Sequence, residues 1–353
     1  YGFPLDLTQL IASENNLEID IKEFKASLEG QKQRSKIDAT KEFGDWILVN
    51  EHNSQEFIGY DHLEAKVSIT KYRSIIRKDK QEFQLIFNST PFYPEGGGQV
   101  GDQGYLKNKI EQIRIKDTKK ENGIIVHYID ELPSNIKASF HAFVDEEKRS
   151  KIAKNHSATH LLHYALRSVL GSHVEQKGSL VNEKYLRFDF SHSSKLSKQE
   201  LDAVENLVKD QIREAISLKE DRNISIEQAK ERGALMLFGE KYGDSVRVIQ
   251  FGKSAELCGG IHVLNTANIG NFMITSESSI SSGVRRIEAV SYLEADKIVN
   301  NRLDQYNAIS KILKTNEDLS SAVQNILIKN QLLQKELESF SKENLKEFKR
   351  NLI

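Results

Sequence analysis

Asn155-His156-Ser157-Ala158-Thr159-His160-Leu161-Leu162 is the stretch on which the fold turns. Ala158, Leu161, Leu162, Ala165, Leu166 and Val169 recur at the spacing of one helix face. That spacing predicts a helix over 155–170 with His156 and His160 one turn apart on the same side. A second pair lies in Cys258-Gly259-Gly260-Ile261-His262, 98 residues beyond His160. Two adjacent glycines each cost about 1 kcal/mol inside a helix, so a turn is expected there. Together the pairs supply three imidazoles and one thiolate, a donor set that suits Zn²⁺ better than Mg²⁺ or Ca²⁺. Cys258 is the chain's only cysteine.

The donor set alone leaves two designs open. Four protein ligands would close the site and staple a helix to a loop. If His262 ligates weakly or swings away, three ligands leave a position for water or substrate. His163, His173 and His192 are expected to be packing or surface residues.

Working outward, residues 146–295 read as α+β. Leu186-Arg187-Phe188-Asp189-Phe190 alternates like a strand, and Val246 to Phe251 is another. Ser197-x-x-Glu200 is a capping box ahead of Leu201, Val204, Leu207, Val208 and Ile212. Residues 41–145 switch to period two, with Phe83–Phe87 and Ile124–Tyr128 rich in strand formers. Ile113-Arg114-Ile115 precedes Asn122-Gly123, so a hairpin is predicted there. This region is expected to be a small β-barrel-like domain. Within it, residues 91–102 (Pro-Phe-Tyr-Pro-Glu-Gly-Gly-Gly-Gln-Val-Gly-Asp) form a glycine-rich loop. Gln99 and Asp102 between apolar residues point to an ordered loop that meets a neighbour or a ligand.

The flanks are helical. Residues 1–40 carry a cap-like Asp20 and Glu23. Residues 296–353 contain neither proline nor glycine. There Val323, Asn330 and Leu337 fall at one heptad position, and Ile326, Leu333 and Phe340 at the other. The segment is expected to be a long helical or coiled-coil arm, open to self-association.

Composition bounds the rest. The chain has 353 residues, of which 38% are hydrophobic and 29% charged, with a net charge of −1. That balance excludes a uniformly basic nucleic-acid binder but not a local patch. Lys71, Arg73, Arg77, Lys78 and Lys80 form one dense basic stretch, read either as solvated surface or as RNA contact. No apolar run reaches the roughly 18 residues of a membrane span. No secretory signal opens the chain, and a single cysteine fits a reducing, cytoplasmic setting. The chain begins with Tyr1, as a piece of a longer protein would.

Several of these motifs, in order, resemble the alanyl-tRNA synthetase family and its free-standing editing relatives. Asn155 to Leu162 is similar to the opening of the family's editing domain, and Cys258 to His262 to its second zinc motif. His173 to Val181, Leu186 to His192 and Ser282 to Ala289 resemble the same domain. The glycine-rich loop resembles the family's β-barrel subdomain, and Tyr1 to Thr8 the junction after its tRNA-recognition helices. Two departures are local: Gly96 stands where a small polar residue is common, and Ser281-Ser282 where small apolar ones are.

The resemblance implies hydrolysis of tRNA(Ala) wrongly charged with serine or glycine, in a cytoplasmic enzyme whose ATP-dependent ligation lies in another segment. It implies Zn²⁺ on His156, His160, Cys258 and His262, and an editing role for Gln176. Thr159 joins Gln176 as a candidate for contacting the serine hydroxyl. Arg285, Arg286 and Gln99 are candidates for contacting the tRNA acceptor end. For the two arginines, a salt bridge to Glu288 or another acid is the competing reading.

Overall fold

The computed structural model describes residues 42–350, except 53, 78–79, 237–242, 244 and 315–317, together with residues 20, 21 and 23. The helix expected over 1–40 lies almost wholly outside the described residues. At its start, the Glu23 N–H donates to Asp20 Oδ1 at 2.9 Å. The chain divides into two compact units, Tyr1–Glu294 and Ala295–Ile353.

From Glu42 onward the described residues of the first unit form mainly antiparallel strands. β1 (Glu42–Phe43) and β2 (Ile47–Leu48) pair with β4 (Glu64–Arg77), while β3 (Glu56–Phe57) pairs in parallel with β6 (Ser89–Thr90). β5 (Lys80–Phe87), β7 (Gly104–Lys107), β8 (Gln112–Ile115), β9 (Asp117–Glu121), β10 (Ile124–Ile129) and β11 (Ser139–Val144) complete the region. The sheet order is β8-β7-β11-β4-β5-β10-β9. Val67 and Ile69 of β4, and Leu85 and Phe87 of β5, alternate inward and bury completely with Leu106 and Phe140.

The expected barrel does not close. β8 and β9 end the path as its two edges. Only Lys116 separates them, and its N–H donates to Tyr128 O of β10 (2.8 Å), so the chain steps between edges without a ladder. The hairpin forms at the predicted turn. Asn122 (φ 49°) and Gly123 (φ 85°) form the predicted tight turn, but the strand entering it is the polar β9 rather than Ile113–Ile115.

Helix α1 (Glu146–Leu170) follows, capped by Asp145, whose side chain accepts from Lys148 N. Helix α2 (Lys198–Arg213) starts at the predicted capping box of Ser197 and Glu200. Both pack on the sheet β12-β13-β18-β17, formed by β12 (Gln176–Val181), β13 (Leu186–Ser191), β17 (Phe272–Ser281) and β18 (Val284–Ser291). Leu161, Leu162, Ala165, Leu166, Phe188, Phe190 and Val204 form its fully buried core. A second small sheet joins β14 (Lys219–Ser225), β15 (Ser245–Phe251) and β16 (Ser254–Leu257), with helix α3 (Ile226–Glu231) against it. The architecture is α+β. Helix α4 (Tyr292–Leu313), from Ala295 onward, and helix α5 (Leu319–Arg350) are the helices of the second unit among the described residues. No helix among the described residues is long and apolar enough to cross a membrane.

Candidate metal centre

His156 and His160 project from α1, and Cys258 and His262 from the loop after β16. Their ligand atoms all lie within 4.8 Å of one another, and the cluster could hold a metal ion. Cys258 Sγ is 3.4 Å from His156 Nε2 and 3.3 Å from His262 Nε2. The loop is irregular, as two glycines suggest, and Gly260 is required there. A Cβ at that position would run into the His156 ring and sit 3.0 Å from Gln99 Oε1.

The outer nitrogens of two of the three imidazoles have hydrogen-bond partners. His156 Nδ1 lies 2.8 Å from Gln99 Oε1, and His262 Nδ1 lies 3.1 Å from Ser157 Oγ. His160 Nδ1 lies 3.3 Å from the carboxylate of Glu256, at an angle too oblique for a hydrogen bond, and His163 Nδ1 reaches the same carboxylate at 2.9 Å. Such outer contacts orient ligating rings and raise their basicity. Burial holds His156 and His262 well below the ordinary imidazole range, with neighbouring imidazoles adding to it. Burial also lowers His160, partly countered by Glu256. The rings are therefore neutral near pH 7, with lone pairs free to ligate. Burial pushes Glu256 upward, but His160 and His163 outweigh it and keep the carboxyl ionised.

The loop carbonyls are also spoken for. Arg247 donates to Cys258 O (3.0 Å) and Gly260 O (2.6 Å), and Tyr60 OH donates to Gly259 O (2.7 Å). The Arg247 guanidinium lies over the Tyr60 ring at 4.1 Å, a cation–π contact that links the two clamps. Gly260 N–H donates to Cys258 Sγ at 3.3 Å. Sequence reasoning missed Ser157, Glu256, Arg247 and Tyr60. Ser157 lies inside the His-x-x-x-His motif and Glu256 two residues before Cys258, so both had a positional signal. Arg247 and Tyr60 had none.

The remaining candidates fall in varied places. Gln99, a candidate for contacting the tRNA acceptor end, is 0% exposed, and its carboxamide oxygen lies 2.8 Å from His156 Nδ1. Thr159 is buried, and its hydroxyl donates to Asn155 O (2.8 Å), a bond to its own helix. Gln176 opens β12, half-buried and opposite Phe190. Arg285 pairs with Glu277, and Arg286 forms a two-pronged pair with Asp189 at 2.7 and 2.8 Å. In the basic stretch, Arg73 lies over the Phe43 and Trp46 rings and pairs with Glu121, while Lys80 pairs with Asp130. Lys78 and the side chain of Arg77 lie outside the described residues.

Two family models match this chain. One, tRNA synthetases class II (A), covers residues 1–148; the other, the threonyl and alanyl tRNA synthetase second additional domain, covers residues 246–288, including Cys258 and His262. These matches place the chain among class II aminoacyl-tRNA synthetases that carry this additional domain. An alanine–tRNA ligase of Christiangramia forsetii is 50% identical across 100% of this chain and 41% of its own length. Those of Cytophaga hutchinsonii and Bacteroides fragilis are 49% and 48% identical over 100% of this chain and 40% of theirs. The chain belongs to the alanyl-tRNA synthetase family and spans about two-fifths of the length of these relatives.

Proposed function

We propose that this chain hydrolyses the ester of tRNA(Ala) mischarged with serine or glycine, using Zn²⁺ held by His156, His160, Cys258 and His262. The observation that carries the reading is the four-donor cluster itself, within a chain whose whole length matches about two-fifths of an alanine–tRNA ligase. Two of the donor spacings match those of the ion. In a tetrahedral zinc site with bonds of about 2.0–2.3 Å, neighbouring ligand atoms lie roughly 3.3–3.6 Å apart. The thiol-to-imidazole distances of 3.4 and 3.3 Å fall in that range. Bound there, Zn²⁺ supplies Lewis acidity toward an ester carbonyl or a water oxygen.

The residues of the chain do the rest. Gln99, Ser157 and Glu256 orient the rings, and Arg247 and Tyr60 fix the loop. Cys258 is the partly exposed ligand. Gln176 is the proposed contact to the serine hydroxyl. Thr159 is the weaker candidate, since its proton is committed to Asn155 O. Arg286, partly exposed, is a better candidate for a phosphate than the buried Arg285.

Selectivity has a physical motive. A pocket sized for alanine cannot strongly reject glycine or serine, because a methylene or hydroxyl difference changes binding by only about 1–3 kcal/mol. A second site that reads the hydroxyl removes the error. In the complete protein this editing would accompany alanine–tRNA ligation in the cytoplasm, with self-association through the C-terminal helices.

The test is to incubate the chain with Ser-tRNA(Ala) and follow loss of the ester. Rapid loss that vanishes in Cys258→Ala is expected, with Ala-tRNA(Ala) surviving far longer. Equal ester loss with and without protein would leave a zinc-stapled tRNA-binding and oligomerisation module in place of the enzyme.

A further inference from the structure

The glycine-rich loop is remote in sequence from both ligand pairs, yet its Gln99 touches both. Gln99 Oε1 accepts from the Ile261 N–H at 2.9 Å and lies 2.8 Å from His156 Nδ1. A backbone N–H only donates, so the amide atom facing Ile261 is the oxygen. His156 must then donate from Nδ1, which leaves its lone pair on Nε2, the nitrogen that faces Cys258 Sγ. A single oxygen atom thus sets the tautomer of one ligand and pins the turn carrying two others.

The loop that delivers Gln99 is docked on both sides. Gly98 O accepts from Val181 N–H (2.7 Å), and Val181 O accepts from Val100 N–H (3.1 Å), so the loop lies along the end of β12. Gly98 has φ +81°, and a Cβ there would approach Ser179 to 2.8 Å. At the far end Asp102, buried, pairs with Arg149 of α1.

We propose that Gln99 is a positioning residue for the metal centre, and that docking of the glycine-rich loop on β12 and α1 sets the affinity for the ion. The inference rests on the zinc reading above. Removing an outer contact of a ligating imidazole typically weakens metal binding about 10–100-fold. Gln99 offers a sharp control, because its Nε2 is buried with no hydrogen-bond partner. Gln99→Glu keeps the accepting oxygen and gives up no hydrogen bond, whereas Gln99→Leu keeps the bulk and removes the acceptor.

The experiment is competition for Zn²⁺ between the whole chain and a chromophoric chelator, with unfolding of the metal-free protein measured alongside. Gln99→Leu is expected to weaken zinc binding about 10–100-fold, and Gln99→Glu, which keeps the accepting oxygen, to weaken it less. Gly98→Ala, which touches no ligand, is expected to weaken it in the same direction by shifting the loop. Long-range ¹H–¹⁵N spectra should show His156 protonated at Nδ1 in the wild type and lose that preference in Gln99→Leu. Should Gln99→Leu fail to fold, Gly98→Ala and the His156 tautomer still decide the matter. Zinc affinity unchanged in Gln99→Leu and Gly98→Ala, with only the metal-free protein destabilised, overturns this inference and leaves the zinc reading intact. A wild type that binds no zinc overturns the zinc reading itself.

Discussion

Helices α1 and α5 invert the usual rule in opposite directions. α1 buries Asn155, His156, Ser157, Thr159, His160 and His163 alongside its leucines. α5 leaves apolar side chains in solvent, with Leu337 74% and Phe340 67% exposed. Polar groups survive burial only when partnered, and in α1 nearly every one has a named partner: Asn155 with Asn182 O and Ser291, Ser157 with His262 and Val263, His163 with Glu256. Those partners come from distant parts of the chain. α5 keeps its heptad pattern without such an environment inside its own unit. Buried polarity therefore marks the chemistry, and exposed apolarity marks a surface whose role depends on what meets it.

The hardest blow to the α1 side of this contrast is Cys258→Ala. It should abolish detectable deacylation and lower metal content by more than about 100-fold, beyond the usual effect of an outer contact. Metal analysis and the ester assay on one sample read both, and a fully loaded, active variant would break the contrast.

Glu256→Gln comes next. The carboxylate bonds His163 and lies 3.3 Å from His160 Nδ1, so its loss should weaken metal binding by up to about 10-fold while the fold persists. Chelator competition, with circular dichroism as the folding control, would show whether Glu256 tunes the centre or only fills space.

Acid sharpens the comparison from the β region, where a buried polar group has no metal role. Burial depresses His127 from 6.5 to about 3. It is neutral, donating from Nδ1 to Leu85 O and accepting at Nε2 from Thr90. The unfolded chain takes up the proton first, so this contribution is complete above about pH 6.5. It is lost as pH falls from 6.5 toward 3, by up to about 1.4 kcal/mol per unit. Denaturation midpoints across that range should decline less steeply in His127→Gln.

The smallest effect is expected in α5. Leu337→Glu on an unpartnered exposed face should change stability by no more than about 0.5 kcal/mol. A larger drop in the thermal midpoint, or a change of molecular mass by light scattering, would show that the face is covered in solution and that the heptad pattern is an interface.

Much of the site was legible because helix geometry is local. Four-residue spacing puts His156 and His160 on one face whatever surrounds them, and Gly259-Gly260 makes the second pair a turn. Capping at Ser197 and the Asn122-Gly123 turn are likewise decided within a few residues. Gln99 was legible as part of an ordered loop but not in its role, since nothing local says whether a carboxamide faces solvent or a buried imidazole. Glu256 and Arg247 were overlooked because charged residues on a strand ordinarily face water.

The chain's local chemistry thus determined the donor set, the helical spacing, the turn and the strand alternation, because each depends on interactions within a turn or two of backbone. Only the tertiary structure decided that the two pairs converge, that the glycine-rich loop reaches between them, and that the N-terminal sheet stays open at β8 and β9. Those outcomes depend on which distant surfaces bury one another. Periodicity records that a face is buried; it does not name the segment that buries it.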